Sequence, residues 1–250
     1  MTLEVSRRGL VIGAGGLLVA GCDKINASPN VRKLLALGEG ATYSAQRAIV
    51  DRTALAPEFT LAQMSPTFRT NGNTNPGWTE YAGHVASKFA DWQLIVDGLV
   101  ARPLKLSLAQ LRAAPYRTQI TRHDCVEGWS AIGQWTGAPL YLLLKQAGIL
   151  PSARFVVFHC ADDSGGRPYY ESVDLIDAFH PQSILAWGMN GQPLSVGHGA
   201  PLRLRVERQL GYKQAKYVMR VEAVASLAGI YGGKGGYWED VAGYQWYAGI

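Results

Sequence analysis

Between Trp92 and Val224 the chain is cut into short runs of strand composition separated by glycine, proline and asparagine, with no regular alternation of strand and long helix. That pattern excludes a doubly wound parallel sheet. Residues 92–96, 116–121, 155–158, 202–206 and 217–224 read as strands, Asp97-Gly98 supplies a turn, and Asn190-Gly191 is a hairpin signal. The helices are predicted to be short. Residues 108–111 can be capped by Ser107 and stop before Pro115, and residues 139–147 place Pro139 in the first turn and Gly148 at the C-cap. The expected fold is therefore α+β, with mixed or antiparallel sheets and short helices. At 250 residues and 48% hydrophobic the chain can bury one core, so one catalytic domain is expected over residues 66–250.

The N-terminus reads as an address. Ser6-Arg7-Arg8-Gly9-Leu10 precedes an uncharged stretch to Ala20 that is too short and too glycine-rich to span a bilayer, so residues 1–21 are predicted to be an export signal. The paired arginines resemble a twin-arginine signal, whose pathway moves proteins already folded around a cofactor. Val19-Ala20-Gly21-Cys22 resembles a lipobox, which would put a lipid on Cys22 and anchor a periplasmic protein to the membrane; an ordinary cleavage site near Cys22 is the other reading. Residues 22–65 read as a tether and irregular chain, with a short helix over 31–37. The formal charge of +5 comes without a lysine/arginine run or basic helix face, which argues against nucleic acid.

With Cys22 set aside, Cys125 and Cys160 remain, each at the exit of an expected strand. The stretch Arg122-His123-Asp124-Cys125-Val126-Glu127-Gly128-Trp129-Ser130 is dense in polar chemistry. Cationic neighbours suit Cys125 to act as a thiolate, a soft metal donor or a nucleophile. Three readings stay open on the residues alone: a metal thiolate, a nucleophile with His123 or His159 as base, and a disulfide to Cys160 in a non-catalytic lipoprotein. Neither paired CxxC nor HExxH spacing is present to suggest zinc. Arg203, Arg205, Arg208, Lys213, Lys216 and Arg220 cluster late in the chain and suggest an anionic ligand. Strand alternation puts Arg203 and Arg205 on one face, for which a solvated surface is the plainer reading. Residues 68–76, rich in asparagine with Gly72 and Pro76, should form a binding loop or a surface turn.

Arg122 to Ser130, with Trp135-Thr136-Gly137 behind it, resembles the cysteine motif of the sulfite-oxidase-like molybdopterin oxidoreductases, and most of all their periplasmic methionine-sulfoxide reductase branch. His198-Gly199-Ala200-Pro201-Leu202-Arg203, with Gly211 and Lys216, is similar to that superfamily's cofactor-phosphate segment, and Phe68-Arg69-Thr70-Asn71 to its pterin-contacting loop. The resemblance implies a sulfite-oxidase-like fold, a molybdenum-pterin cofactor with Cys125 as the protein's metal ligand, and cofactor contacts from Asn71, Cys160, His198, Arg203, Gln214, Ala215 and Lys216. Arg203 and Lys216 would lie nearest the phosphate. His123 and Glu127, beside the ligand cysteine, are the further candidate catalytic residues.

The sequence departs from the superfamily's patterns in ways that bear on substrate. A small hydroxyl residue stands in the reductase branch where Cys160 stands here, and position 198 is asparagine there and histidine in sulfite oxidases. Sulfite oxidases follow the cysteine with a glycine-asparagine-arginine-arginine run, whereas here Glu127 follows closely and disfavours an anion such as sulfite; a structural bond to Arg122 or a backbone amide is the alternative role for Glu127. The expected activity is reduction of an S-oxide or N-oxide, with oxidation of sulfite or another small molecule as the alternative. No immunoglobulin-like dimerisation domain and no Cys-x-x-Cys-His haem motif follow, so a monomer without haem is expected, drawing electrons from a separate partner such as a membrane haem protein.

Overall fold

A computed structural model describes residues 28–250; the predicted export signal and Cys22 lie outside the described residues. The chain divides into two compact units, one ending at Asp51 and one beginning at Arg52. In the first, α1 spans Pro29–Ile49, far beyond the expected helix over 31–37. Pro29 is pre-set for a first turn, and the hydroxyls of Thr42 and Ser44 donate back to the carbonyls of Gly38 and Gly40, tying down a stretch that glycine would loosen. No described helix is long and apolar enough to cross a membrane.

The second unit is built on two sheets. One has the order β2 (Leu104–Ser107), β1 (Gln93–Gly98), β10 (Val218–Val224), β5 (Phe155–Ser164), β6 (Arg167–Asp174), with β1 and β10 parallel and the other pairs antiparallel. The other runs β3 (Arg117–Asp124), β4 (Ser130–Pro139), β7 (Ile184–Met189), β8 (Gln192–Pro193), with β9 (Arg203–Arg205) also on β7, and is antiparallel throughout. The helices α2 (Thr79–Ala86), α3 (Leu108–Ala113), α4 (Leu140–Ala147), α5 (Leu175–Ala178) and α6 (Tyr237–Ala242) are short, as the α+β expectation requires.

Local chemistry sets these elements. Ser107 and Gln110 form a reciprocal capping box at α3, and Gly148, at φ 70°, ends α4 in the left-handed conformation that costs glycine little. The apolar face of α4, Leu140, Leu143, Leu144 and Ala147, packs into one core with Leu94, Val156 and Phe158 of the first sheet and Leu185 and Leu204 of the second. Each of these leucine, valine and phenylalanine side chains contributes about 1.5–3 kcal/mol of transfer free energy.

The expected boundary at residue 66 falls too late. Gln182 receives a bond from the Ala56 amide at 2.8 Å and gives one to the Ala56 carbonyl at 3.0 Å, the Phe59 amide bonds the Ile120 carbonyl at 2.8 Å, and Ser65 exchanges bonds with Ile132. The irregular chain expected to be tether is thus edge-bonded to the second sheet. At the other end, residues 232–236 are irregular as their glycines demand, but α6 follows them, and the terminus docks through Trp246 to Ser172 and Ile250 to Arg208.

Candidate active site

Strands β3 and β4 pair from Arg117–Gly137 to Asp124–Ser130, so residues 125–129 form the hairpin loop. The Cys125 amide bonds the Trp129 carbonyl at 2.9 Å and the Gly128 amide bonds the Cys125 carbonyl at 3.0 Å, which fixes the loop around the cysteine. Asp124 staples its base, accepting from Arg122 and, at 2.5 Å, from Ser130. The thiol is 9% exposed and free, and the Asn71 amide donates to its sulfur at 3.4 Å. Cys160 is also free, so the disulfide alternative is not formed. Burial, then the carboxylates of Asp162 and Glu171, push the Cys160 thiol well above its ordinary value, and its packing partners are those of the main core.

The six clustered basic residues separate by their partners. Arg205 is paired with Glu207, Arg208 with Asp177, Lys213 with Glu171 and Glu239, and Arg220 with Asp97 and Glu222. Internal carboxylates therefore account for four of them. Arg203 and Lys216 differ. Arg203 lies 5.3 Å over the Trp135 ring with its Nε buried and unpartnered, while Lys216 donates to the carbonyls of Asn71, Asn73 and Gly197. Burial first, and Arg205 second, lower Arg203 to about 9; burial and then Arg203 lower Lys216 to about 8. Two desolvated cations near one another, hydrogen-bonded to carbonyls and not to carboxylates, make an anion site. Gly199, at φ 106°, is required here: a Cβ on it would stand 2.7 Å from Lys216 Cβ.

Beneath the loop His123 is 3% exposed, and burial followed by Arg203 and Arg205 holds its ring well below the usual histidine range, hence neutral. Phe68 packs at 5.4–6.4 Å against His123, Trp129, Trp135 and His198, joining the early loop to the cysteine hairpin. Glu127 accepts from the Trp129 indole at 3.2 Å, a different partner from the Arg122 or backbone amide anticipated.

These residues converge on one cleft of about 160 Å³, lined by Asn71, Cys125, Glu127, Arg203 and Lys216, with His123 at its wall. The remaining expected contacts stand behind that lining. His198 donates from Nε2 to the Phe68 carbonyl at 3.3 Å and supports Arg203 through its own carbonyl; Ala215 holds β9 by accepting from the Leu204 amide; Gln214 is buried and donates to the Gln209 carbonyl. Sequence reasoning missed Tyr212, Trp238 and Tyr244, which line the same cleft. Trp238 and Tyr244 had one signal, the aromatic, glycine-rich C-terminal stretch, and Tyr212 lies outside it. Among the described residues no cluster of three His, Cys, Asp or Glu side chains could hold a metal ion.

Comparison with known proteins locates this geometry. Residues 82–228 match the family described as oxidoreductase molybdopterin binding domain. The chain is 42% identical over 160 residues to the protein named "Putative protein-methionine-sulfoxide reductase subunit YedZ1" of Azospira oryzae, covering 64% of this chain and 56% of that one. It is 34% identical over 151 residues to the protein-methionine-sulfoxide reductase catalytic subunit MsrP of Xanthomonas campestris pv. campestris, covering 56% and 47%. The chain thus spans about half the length of the curated relatives it matches. The sulfane dehydrogenase SoxCD of Paracoccus pantotrophus is similar in structure, with a TM-score of 0.51 at 25% identity over 55% of this chain and 39% of that one. The residues present fit such a cofactor: the orphaned Arg203 Nε and the Lys216 ammonium suit a phosphate, and a lone free thiol at the cleft suits a metal whose other ligands come from the pterin. A free cysteine, a two-cation anchor and a domain-wide match agree, and the chain belongs to the molybdopterin-binding oxidoreductase family.

Proposed function

We propose that this chain catalyses oxygen-atom transfer in the periplasm, reducing an S-oxide or N-oxide. The observation that carries it is the free Cys125 sulfur at the cleft, steadied by Asn71 and sharing that cleft with Arg203 and Lys216, two buried cations whose hydrogen bonds go to carbonyls. When bound, the molybdenum-pterin group supplies a metal that exchanges an oxygen atom with substrate and two electrons with a partner. Cys125 serves as its protein ligand, and Asn71 orients the sulfur. Arg203 and Lys216 hold the phosphate; His198, Ala215 and Gln214 hold the residues that touch it, while Cys160 closes the core behind. His123, neutral and buried at the cleft wall, acts by position.

Glu127 at the cleft favours a neutral oxide over sulfite, and the relatives named as methionine-sulfoxide reductases support the same direction. Sulfite or sulfane-type oxidation is the second reading, supported by the likeness to SoxCD. In the proposal the protein works as a monomer without haem of its own, exported through a twin-arginine signal and held by a lipid on Cys22, which raises its effective concentration near a membrane haem protein that supplies electrons.

Protein exported with its native signal should contain near-stoichiometric molybdenum and release a fluorescent pterin. With a reduced viologen as donor it should turn over methionine sulfoxide, dimethyl sulfoxide or trimethylamine N-oxide, and Cys125→Ser should abolish turnover. Metal-free active protein would refute the cofactor assignment, and oxidation of sulfite without reduction of any oxide would reverse the direction.

A further inference from the structure

The cleft is not completed by the family's domain alone. The matched region ends at residue 228, yet Trp238 and Tyr244 line the cleft together with Tyr212. Trp238 and Tyr244 are stacked at 5.6 Å and 23°, and Tyr212 meets Tyr244 edge-on at 5.0 Å. The array continues inward through Tyr237, at 5.3 Å from Trp238, to Tyr169.

The array is fixed from below. Lys213, next in sequence to Tyr212, is fully buried between Glu171 of β6 at 2.6 Å and Glu239 of α6 at 2.5 Å. Glu239 in turn follows Trp238, so one ion cluster sets the height of two of the three rings. The Tyr212 hydroxyl donates to the Gln245 carbonyl at 2.6 Å and ties the third. The paired, buried ion cluster holds the backbone on both sides of the rings, so the aromatic face of the cleft is formed before any ligand arrives.

We infer that Tyr212, Trp238 and Tyr244 form the substrate-selecting wall, and that it takes the methylene chain of a methionine-sulfoxide side chain rather than a small or anionic acceptor. This rests on the S-oxide reading above. Aromatic faces are polarisable and carry negative potential, which attracts the electron-poor methylene groups that lead to a sulfoxide. The same faces, with Glu127 in the cleft, repel an oxyanion. The wall and the sulfur-bearing loop line the same cleft, so a side chain seated at the loop can lay its methylenes on the rings, whereas dimethyl sulfoxide has no chain to do so.

The test uses cofactor-loaded enzyme, with molybdenum content measured for wild type, Trp238→Ala and Tyr244→Leu, the latter keeping bulk while removing the π face. With reduced viologen as donor, KM for N-acetylmethionine sulfoxide should rise roughly two- to tenfold for each ring removed, while kcat moves less than twofold and KM for dimethyl sulfoxide changes little. Binding is read separately: adding N-acetylmethionine sulfoxide to oxidised enzyme should change tryptophan fluorescence in wild type and not in Trp238→Ala. Unchanged KM in both loaded variants, with wild type active, overturns the wall. Wild type inactive on every oxide overturns the underlying reading, and the wall falls with it if the fluorescence change is also missing.

Discussion

Arg205 can only donate, so its 3.1 Å contact with His123 Nδ1 makes that nitrogen the acceptor and leaves the ring proton on Nε2. Nitrogen NMR should therefore show one neutral tautomer of His123 from about pH 5 to 8; a ring that charges in this range would contradict its burial. Gly211 stands against that ring, and a Cβ there would come within 2.5 Å of His123 Cε1 and Nε2. Gly211→Ala should destabilise by about 1–3 kcal/mol in urea melts and lower molybdenum content as the ring is pushed towards the loop. Asp162 and Lys216 set opposite pH slopes. Burial raises Asp162 to about 7, so the folded chain keeps a proton that the unfolded chain loses, and stability falls as pH rises between about 4 and 7. Lys216, lowered to about 8 by burial and Arg203, has its cost fully present below that value and relieved as pH climbs towards 10.5. Asp162→Asn should flatten the first slope and stabilise the protein at pH 8 by roughly 1–3 kcal/mol, read from urea melts at pH 5 and 8.

Lys213 joins β6, the turn at residues 211–213 and α6, so its loss is felt across elements. Lys213→Met leaves Glu171 and Glu239 buried without a counter-charge and should cost about 3–5 kcal/mol, with faster hydrogen exchange in residues 237–250. Elements with a local cause were legible in the sequence: the capped α3, the Gly148 stop of α4 and the hairpin at Asn190 and Gly191, both at positive φ. β5 runs on to Ser164, past its expected end at Phe158, because a bulge between His159 and Asp163 interrupts the alternation. α6 was hidden behind four glycines and takes its place from Glu239, whose partner Lys213 is remote in sequence. The motif exposed Cys125, Arg203 and Lys216, but not that Arg205 and Arg208 would be neutralised, since their carboxylates are chosen by the fold.

The division at Asp51 makes a prediction for the molecule as a whole. A chain starting at Pro66 loses the bonds that Ala56, Phe59 and Ser65 make and should melt roughly 5–10 °C lower by calorimetry than one starting at Arg52. Fold class was readable from the run lengths, and the cofactor class from three segments in order; the substrate wall was not, because it joins Tyr212 to rings more than twenty residues later. Arg203 and Lys216 carry a consequence for the life of the molecule. Their mutual repulsion weighs on the fold until an anion settles against them, and by mass action its binding raises the melting temperature. Filling is thereby coupled to survival: chains still waiting for their pterin are expected to open more often and be cut first by a protease, which enriches the surviving population in molecules ready to work.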